Sequence, residues 1–144
     1  MQKEIIDFIN SQKICVLAVE MMDGAPHGAT AHFAMSEDPL TFFFETYREY
    51  RKCEALFGRE VSRATVVIGV DESISQTLQM DGEVCLIKSE EKELYDKVYF
   101  EKFPKKLEKS KDPKFVFFSF TPKRWQYTDF KGPNGKLILT SDDK

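Results

Sequence analysis

No stretch of this chain comes near the roughly 20 consecutive apolar residues that a membrane-spanning helix needs. Charge interrupts the sequence throughout its 144 residues. The opening segment "MQKEIIDFINSQK" sets acidic and amide groups among its apolar positions, unlike a secretory leader. A cytoplasmic protein without a membrane is expected. Cysteine is scarce: Cys15, Cys53 and Cys85 are far apart, each in an apolar or helical setting. That suits reduced, interior thiols better than a disulfide framework or a zinc site. Positive charge is not in excess either. The balance of 21 basic to 24 acidic residues, net -3, lacks the broad cationic surface that nucleic-acid backbones require. The only two histidines, His27 and His32, lie five apart on one expected strand and so on opposite faces, which removes a joint metal site. No Ser-His-Asp order, glycine-rich phosphate loop or pair of catalytic carboxylates stands out, and hydrolase chemistry finds no support.

What the chain does have is aromatic, β-branched sequence in short runs, including 13 phenylalanines. The length fits one domain, residues 1 to 144, with room for a real core. Ile5, Phe8 and Ile9 recur at helical spacing and predict a helix over 2 to 12. "ICVLAVE", the Asp-Gly turn of "MMDGAP" and "HGATAHFAM" read as a hairpin. After the break at Pro39, "LTFFFE" is a third strand. "ATVVIGV" is a fourth and "QTLQMDGEVCLIK" a fifth. Gly82 inside the fifth marks a bulge or a second turn, and the bulge is the simpler account. Residues 89 to 103 read as an N-capped amphipathic helix with Leu94 and Val98 inward. "PKKLEKSKDPK" is a solvated connector. "FVFFSF", "WQYTDF" and "KLILT" supply three more strands, and the tail from about 141 to 144 is expected to be disordered. Strands without regular βαβ alternation indicate a mainly β protein, an antiparallel barrel or sandwich of six or seven strands with helices outside.

The most informative stretch is "FETYREYRKCEALF", residues 44 to 57. "TYRE" matches a capping box, so a helix is expected to start with Thr46 as N-cap and Glu49 reaching back. Arg48, Arg51 and Lys52 then share one helical face near its N-terminus, where cations are disfavoured unless an anion sits among them. A phosphate resolves that conflict. Ordinary surface pairing with Glu45, Glu49 and Glu54 resolves it equally on local chemistry.

The order of these segments over nearly the whole chain resembles the FMN-binding split β-barrel family related to pyridoxamine 5'-phosphate oxidase. The marks are "ICVLAVEMMDGAPHGATAHFAM", "DPLTFFFET" leading to "RK", "ATVVIGV", "TLQMDGEVCLI" and "FSFTPKRWQYTDF". "YDKVYFEKFPKK" resembles an element of some bacterial members. The resemblance implies a homodimer with FMN in a groove between the copies. It implies that Thr46, Arg51 and Lys52 grip the phosphate, that Ala29, Thr30, Ala31, His32 and Phe33 run beside the flavin ring, and that Gln79 touches the cofactor. Trp125 would close the ring pocket from the other subunit, or else anchor the core or the interface. It further implies an oxidoreductase acting on a small molecule with an electron donor such as NAD(P)H. The oxidase proper reads Ser-Arg-Lys where this chain has Tyr50-Arg51-Lys52, and it carries an Arg-x-His element near its C-terminus, whereas no Arg or His follows Arg124 here. Pyridoxamine phosphate is therefore not the expected substrate. The alternatives are a non-catalytic flavin- or haem-binding protein using the same groove, and a barrel with an empty groove that serves a protein partner.

Overall fold

The computed structural model describes residues 1–142. Helix α1 (Lys3–Ser11) buries Ile5, Phe8 and Ile9 as their spacing requires. Strand β1 (Ile14–Glu20) turns at Asp23 and Gly24 into β2 (Pro26–His32). The Asp23 carboxylate accepts from the Ala25 amide at 3.0 Å, and Gly24 takes φ +87°, which glycine supplies without a steric penalty. Phe33 alone separates β2 from β3 (Ala34–Glu37), which pairs with β4 (Leu40–Tyr47). Helix α2 (Cys53–Gly58), β5 (Ser62–Ile68), β6 (Gln76–Leu86), α3 (Lys92–Lys102), β7 (Phe115–Gly132) and β8 (Gly135–Thr140) follow.

All pairing is antiparallel, in the order β2-β1-β5-β6-β7-β4-β3, with β8 on β7. The two ends of that order, β2 and β3, are consecutive in sequence, so the sheet returns to itself through one bent strand. This is the mainly β barrel the strand pattern implies, with eight strands among the described residues where six or seven were expected. Alternation fills its interior: Cys15, Leu17 and Val19 of β1, Val66 and Ile68 of β5, Leu78 and Met80 of β6, and Phe42, Phe44, Phe118 and Phe120 are all buried. Among the described residues no helix is long and apolar enough to cross a membrane.

Four local expectations change. The two strands expected at 115–120 and 125–130 are one, β7. "TPKR" does not break it because Gly82 pairs with Pro122 and Asp81 with Arg124, leaving Lys123 as the extra residue of a bulge. A proline has no amide to donate, and a bulge is where a strand tolerates that. On α3 the fully buried residues are Tyr95 and Tyr99, with Leu94 and Val98 only half-buried. The connector is no mere solvated loop: it forms two 3-10 turns, and Ser110 is buried with its hydroxyl donating to Glu45. Finally, Ser141 is tied to the Trp125 backbone on both sides, donating to its carbonyl at 3.0 Å and accepting from its amide at 3.2 Å. The rest of the tail, 143 and 144, lies outside the described residues.

Lys102 fastens α3 to the barrel. Its ammonium donates to the Gln12 carbonyl at 2.5 Å and lies 4.0 Å over the Phe33 ring. Desolvation lowers its pKa to about 8. Between that value and the unfolded lysine value near 10.4 the folded state binds fewer protons than the unfolded one, so this group makes stability rise with pH there. Urea unfolding at pH 7.5, 8.5 and 9.5 should show the wild type gaining on Lys102→Met as pH increases. Cys15, pushed up to about 12 by burial, opposes the trend at the top of the range in both proteins and largely cancels in the comparison. Parallel profiles would refute the assignment.

Candidate functional site

The handover after β4 differs from the expected capping box. β4 runs on through Tyr47, because Thr46 pairs with Val116 and Tyr47 with Phe115 of β7. The ladder captures Thr46, and the helix starts seven residues later, at Cys53. Arg48, Arg51 and Lys52 therefore stand in a tight turn rather than along one helical face. Tyr47 accepts from the Tyr50 amide at 3.1 Å and from Cys53 Sγ at 3.3 Å, which folds the turn back onto the strand end.

The three cations separate physically. Arg48 lies 4.9 Å over the Phe57 ring, and Arg51 is exposed with Glu54 at 4.0 Å. Lys52 is different: only 6% of its surface is exposed, and it forms no ion pair among the described residues. Its ammonium sits 4.9 Å over the Tyr50 ring, and desolvation lowers its pKa. Thr46 faces inward, on the same side of β4 as Phe42 and Phe44, and its hydroxyl is buried with no hydrogen-bond partner among the described residues. An unmet buried hydroxyl costs about 1–3 kcal/mol. Lys52, in the turn that follows, carries a partly desolvated ammonium with no carboxylate partner among the described residues. Both deficits have the same remedy, an acceptor-rich anion, so Thr46 and Lys52 fit a phosphate ester.

The strand segment from Ala29 to Phe33 lies next to this end. Continuing the β3–β4 register beyond Ala34 and Phe43 would set Ala31 across from Thr46 and His32 across from Glu45, but β2 departs there to pair with β1. The departure opens the split in the barrel. Ala29 and Ala31 are half-buried, Thr30 and His32 exposed, and Phe33 fully buried against Phe42. His27 shares the half-buried side of β2 with Ala29 and Ala31, so the two histidines do face opposite ways.

Gln79 and Trp125 are elsewhere. Gln79 pairs with Gln126 and Met80 with Trp125, about ten residues farther along β7 than Val116, the partner of Thr46. That is roughly 30 Å of strand. Together they line a 250 Å³ cavity with Asp81, Arg124, Gln126 and Thr140. Within one chain, then, the structure brings Thr46, Lys52 and residues 29–33 to one end and leaves Gln79 and Trp125 at the other.

The family profile of pyridoxamine 5'-phosphate oxidase matches residues 1–129. The chain belongs to the pyridoxamine 5'-phosphate oxidase family. Solved structures agree on the fold at low identity. A haem-binding protein from Mycobacterium smegmatis superposes with a TM-score of 0.72 at 12% identity over 92% of this chain, which spans only 55% of that protein. A Clostridium acetobutylicum protein of the pyridoxinephosphate oxidase family, related to a general stress protein of Bacillus subtilis, gives 0.66 at 18% identity, covering 96% of this chain and 93% of its own. An FMN-binding, pyridoxamine 5'-phosphate oxidase-related protein from Nostoc punctiforme gives 0.63 at 14%, covering 89% and 80%. Among curated proteins nothing matches.

Sequence reasoning missed the contribution of α3 to this region. Lys106 Nζ lies 2.9 Å from His32 Nδ1 and donates to the Tyr99 hydroxyl at 3.2 Å. The signal was present in the chain. Tyr95, Tyr99, Lys102 and Lys106 recur at spacings of three and four, which is one helical face continued into the connector.

Proposed function

We propose that this family member is a homodimeric FMN-binding flavoprotein that passes electrons between a reduced donor, such as a nicotinamide nucleotide, and a small molecule other than pyridoxamine phosphate. The observation that carries the reading is an orphaned, buried Thr46 hydroxyl at the end of β4, followed in the next turn by Lys52, whose side chain is largely buried and forms no ion pair among the described residues. These two residues would hold the phosphate, with Arg51 at the rim. Residues 29–33 would lie along the ring. FMN supplies the redox chemistry when bound, and the chain supplies orientation, hydrogen bonds and exclusion of water.

The separation of Gln79 and Trp125 from Thr46 supports the dimer. One FMN does not span that distance, so these two side chains reach it only from a second copy. The outer face of β1 and β5 would seat that copy: Ile14 is exposed there and Val16, Ala18, Thr65 and Val67 are half-buried. These are apolar or small side chains that a partner sheet could cover.

The purified protein decides the matter. Equilibrated with FMN, it should retain a flavin spectrum through gel filtration at the mass of a dimer, and riboflavin, which lacks the phosphate, should bind at least tenfold more weakly. That ratio corresponds to loss of a charge-assisted contact of about 1.5–3 kcal/mol. Equal retention of riboflavin would remove the phosphate assignment. A Soret band after exposure to haemin, with no flavin retained, would replace the flavin reading by the haem one.

A further inference from the structure

The outward side of the barrel split carries a polar cluster around His32 whose chemistry the ring assignment does not specify. His32 is exposed, yet its ring is not free to turn. Phe103 packs against it at a centroid distance of 5.2 Å, and Lys106 Nζ approaches Nδ1 at 2.9 Å. An ammonium group has only donors. Nδ1 is therefore the accepting nitrogen, and the single proton of the neutral imidazole resides on Nε2. Nε2 has no partner among the described residues. Lys106 is held in turn: it donates to Tyr99 and lies 4.9 Å over Phe103.

The surrounding charges favour the neutral ring. Burial and the nearby cations Lys106, Lys102 and Lys13 lower the His32 pKa. The carboxylate facing the cluster from β4, Glu45, interacts electrostatically with Lys106 and accepts a hydrogen bond from Ser110 across the connector. Lys109 of the connector also acts electrostatically on Lys106, and Tyr99 has its pKa raised by burial and stays a neutral hydroxyl.

We infer that His32 is a tautomer-fixed hydrogen-bond donor, with Lys106 and Tyr99 as positioning residues that set its Nε2–H toward a carbonyl or imine edge of a ligand lying along β2. The inference rests on the flavin reading, since the isoalloxazine ring carries such an edge. It makes His32 a contact of stated polarity rather than one member of a strand beside the ring.

Nitrogen NMR of the imidazole tests it, first without ligand. At neutral pH His32 should show the Nε2–H tautomer and titrate below the ordinary histidine value. Lys106→Met should mix the tautomers and raise the pKa. Addition of FMN should shift the Nε2 resonance. His32→Leu should weaken FMN binding about fivefold, the size of one ordinary hydrogen bond, and His32→Gln, whose amide nitrogen can stand in for Nε2, should restore most of it. An Nδ1–H tautomer in the free protein overturns the inference and leaves the flavin reading standing. So does FMN that binds without moving the Nε2 signal, or with equal affinity in His32→Leu. Failure of FMN to bind at all overturns both.

Discussion

Gly82→Ala should unfold this protein at markedly lower temperature than any conservative surface change. A Cβ at position 82 would stand 2.2 Å from the Thr121 carbonyl oxygen and 2.9 Å from Pro122 Cα, both backbone atoms of the neighbouring strand. Neither can swing aside as a side chain would. Relief requires β6 and β7 to separate at the bulge, where the Phe120 ring also lies 2.9 Å away. Overpacking of this kind costs about 3 kcal/mol or more. For a chain of this size that is a fall in Tm of roughly 10 °C. Gly28→Ala is the internal comparison: its Cβ would meet nothing closer than the Leu17 oxygen at 4.0 Å, and it lies on the exposed side of β2. It should stay within about 0.5 kcal/mol of the wild type. Equal melting temperatures for the two variants would mean that the β6–β7 crossing is not as tight as described.

The consequence reaches the proposed cofactor site. Gln79 and Trp125 lie on one side of the bulge, and Val116, which pairs with Thr46, lies on the other. The bulge therefore fixes how the distal pair is aimed relative to the barrel split. A Gly82 variant that survives should lose flavin as well as stability, although position 82 contacts neither group.

How much of this was legible in the chain follows from which interactions are local. The first hairpin turn, with Asp23 and Gly24, is set by turn chemistry within a few residues, and α1 by the spacing of Ile5, Phe8 and Ile9; both stand where the pattern puts them. The second strand, expected to run through "HGATAHFAM", instead ends at His32 because Ala34 and Met35 pair with Phe43 and Phe42 of β4. The bulge was legible from Gly82, but its extra residue, Lys123, belongs to the opposite strand, and no pattern within "TLQMDGEVCLI" could name it. The capping box at Thr46 failed because a local rule competed with a distant one. "TYRE" offers a helix start, but the backbone of Thr46 and Tyr47 gains ladder hydrogen bonds from Val116 and Phe115, about 70 residues away. Long-range pairing won, and the helix was displaced to Cys53.

The chemistry of the stretch survived that displacement in altered form. Hydroxyl and cations still gather at the end of the third long strand, but in a strand end and the turn after it rather than on a helix face. Of the three cations Arg48 and Arg51 stay near water and only Lys52 is buried. The sequence could place the cluster; it could not say which member loses its water, because that depends on a turn, tied by Cys53 to the Tyr47 carbonyl, that sets the Lys52 amine over the Tyr50 ring.

Lys52→Met should therefore have opposite effects on the free and the loaded protein. In phosphate-free buffer the native ammonium is desolvated with only the Tyr50 ring as compensation, worth about 0.5–1 kcal/mol. Methionine fills the same volume and leaves no charge to desolvate, so the ligand-free variant should be more stable than the wild type, by about 1 kcal/mol, as replaced buried charges often are. FMN binding should move the other way, weakening 10- to 100-fold through loss of a charge-assisted contact of about 1.5–3 kcal/mol. Riboflavin binding should hardly change. Arg51→Met, at an exposed position beside Glu54, should leave ligand-free stability within about 0.5 kcal/mol. Urea unfolding with and without FMN measures all of these in one series, because a ligand that binds only the folded state adds its own increment to stability. If Lys52→Met were destabilised to the same degree in both conditions, Lys52 would be a packing residue whose amine has no ligand to meet, and the phosphate would have to be held somewhere other than the end of β4.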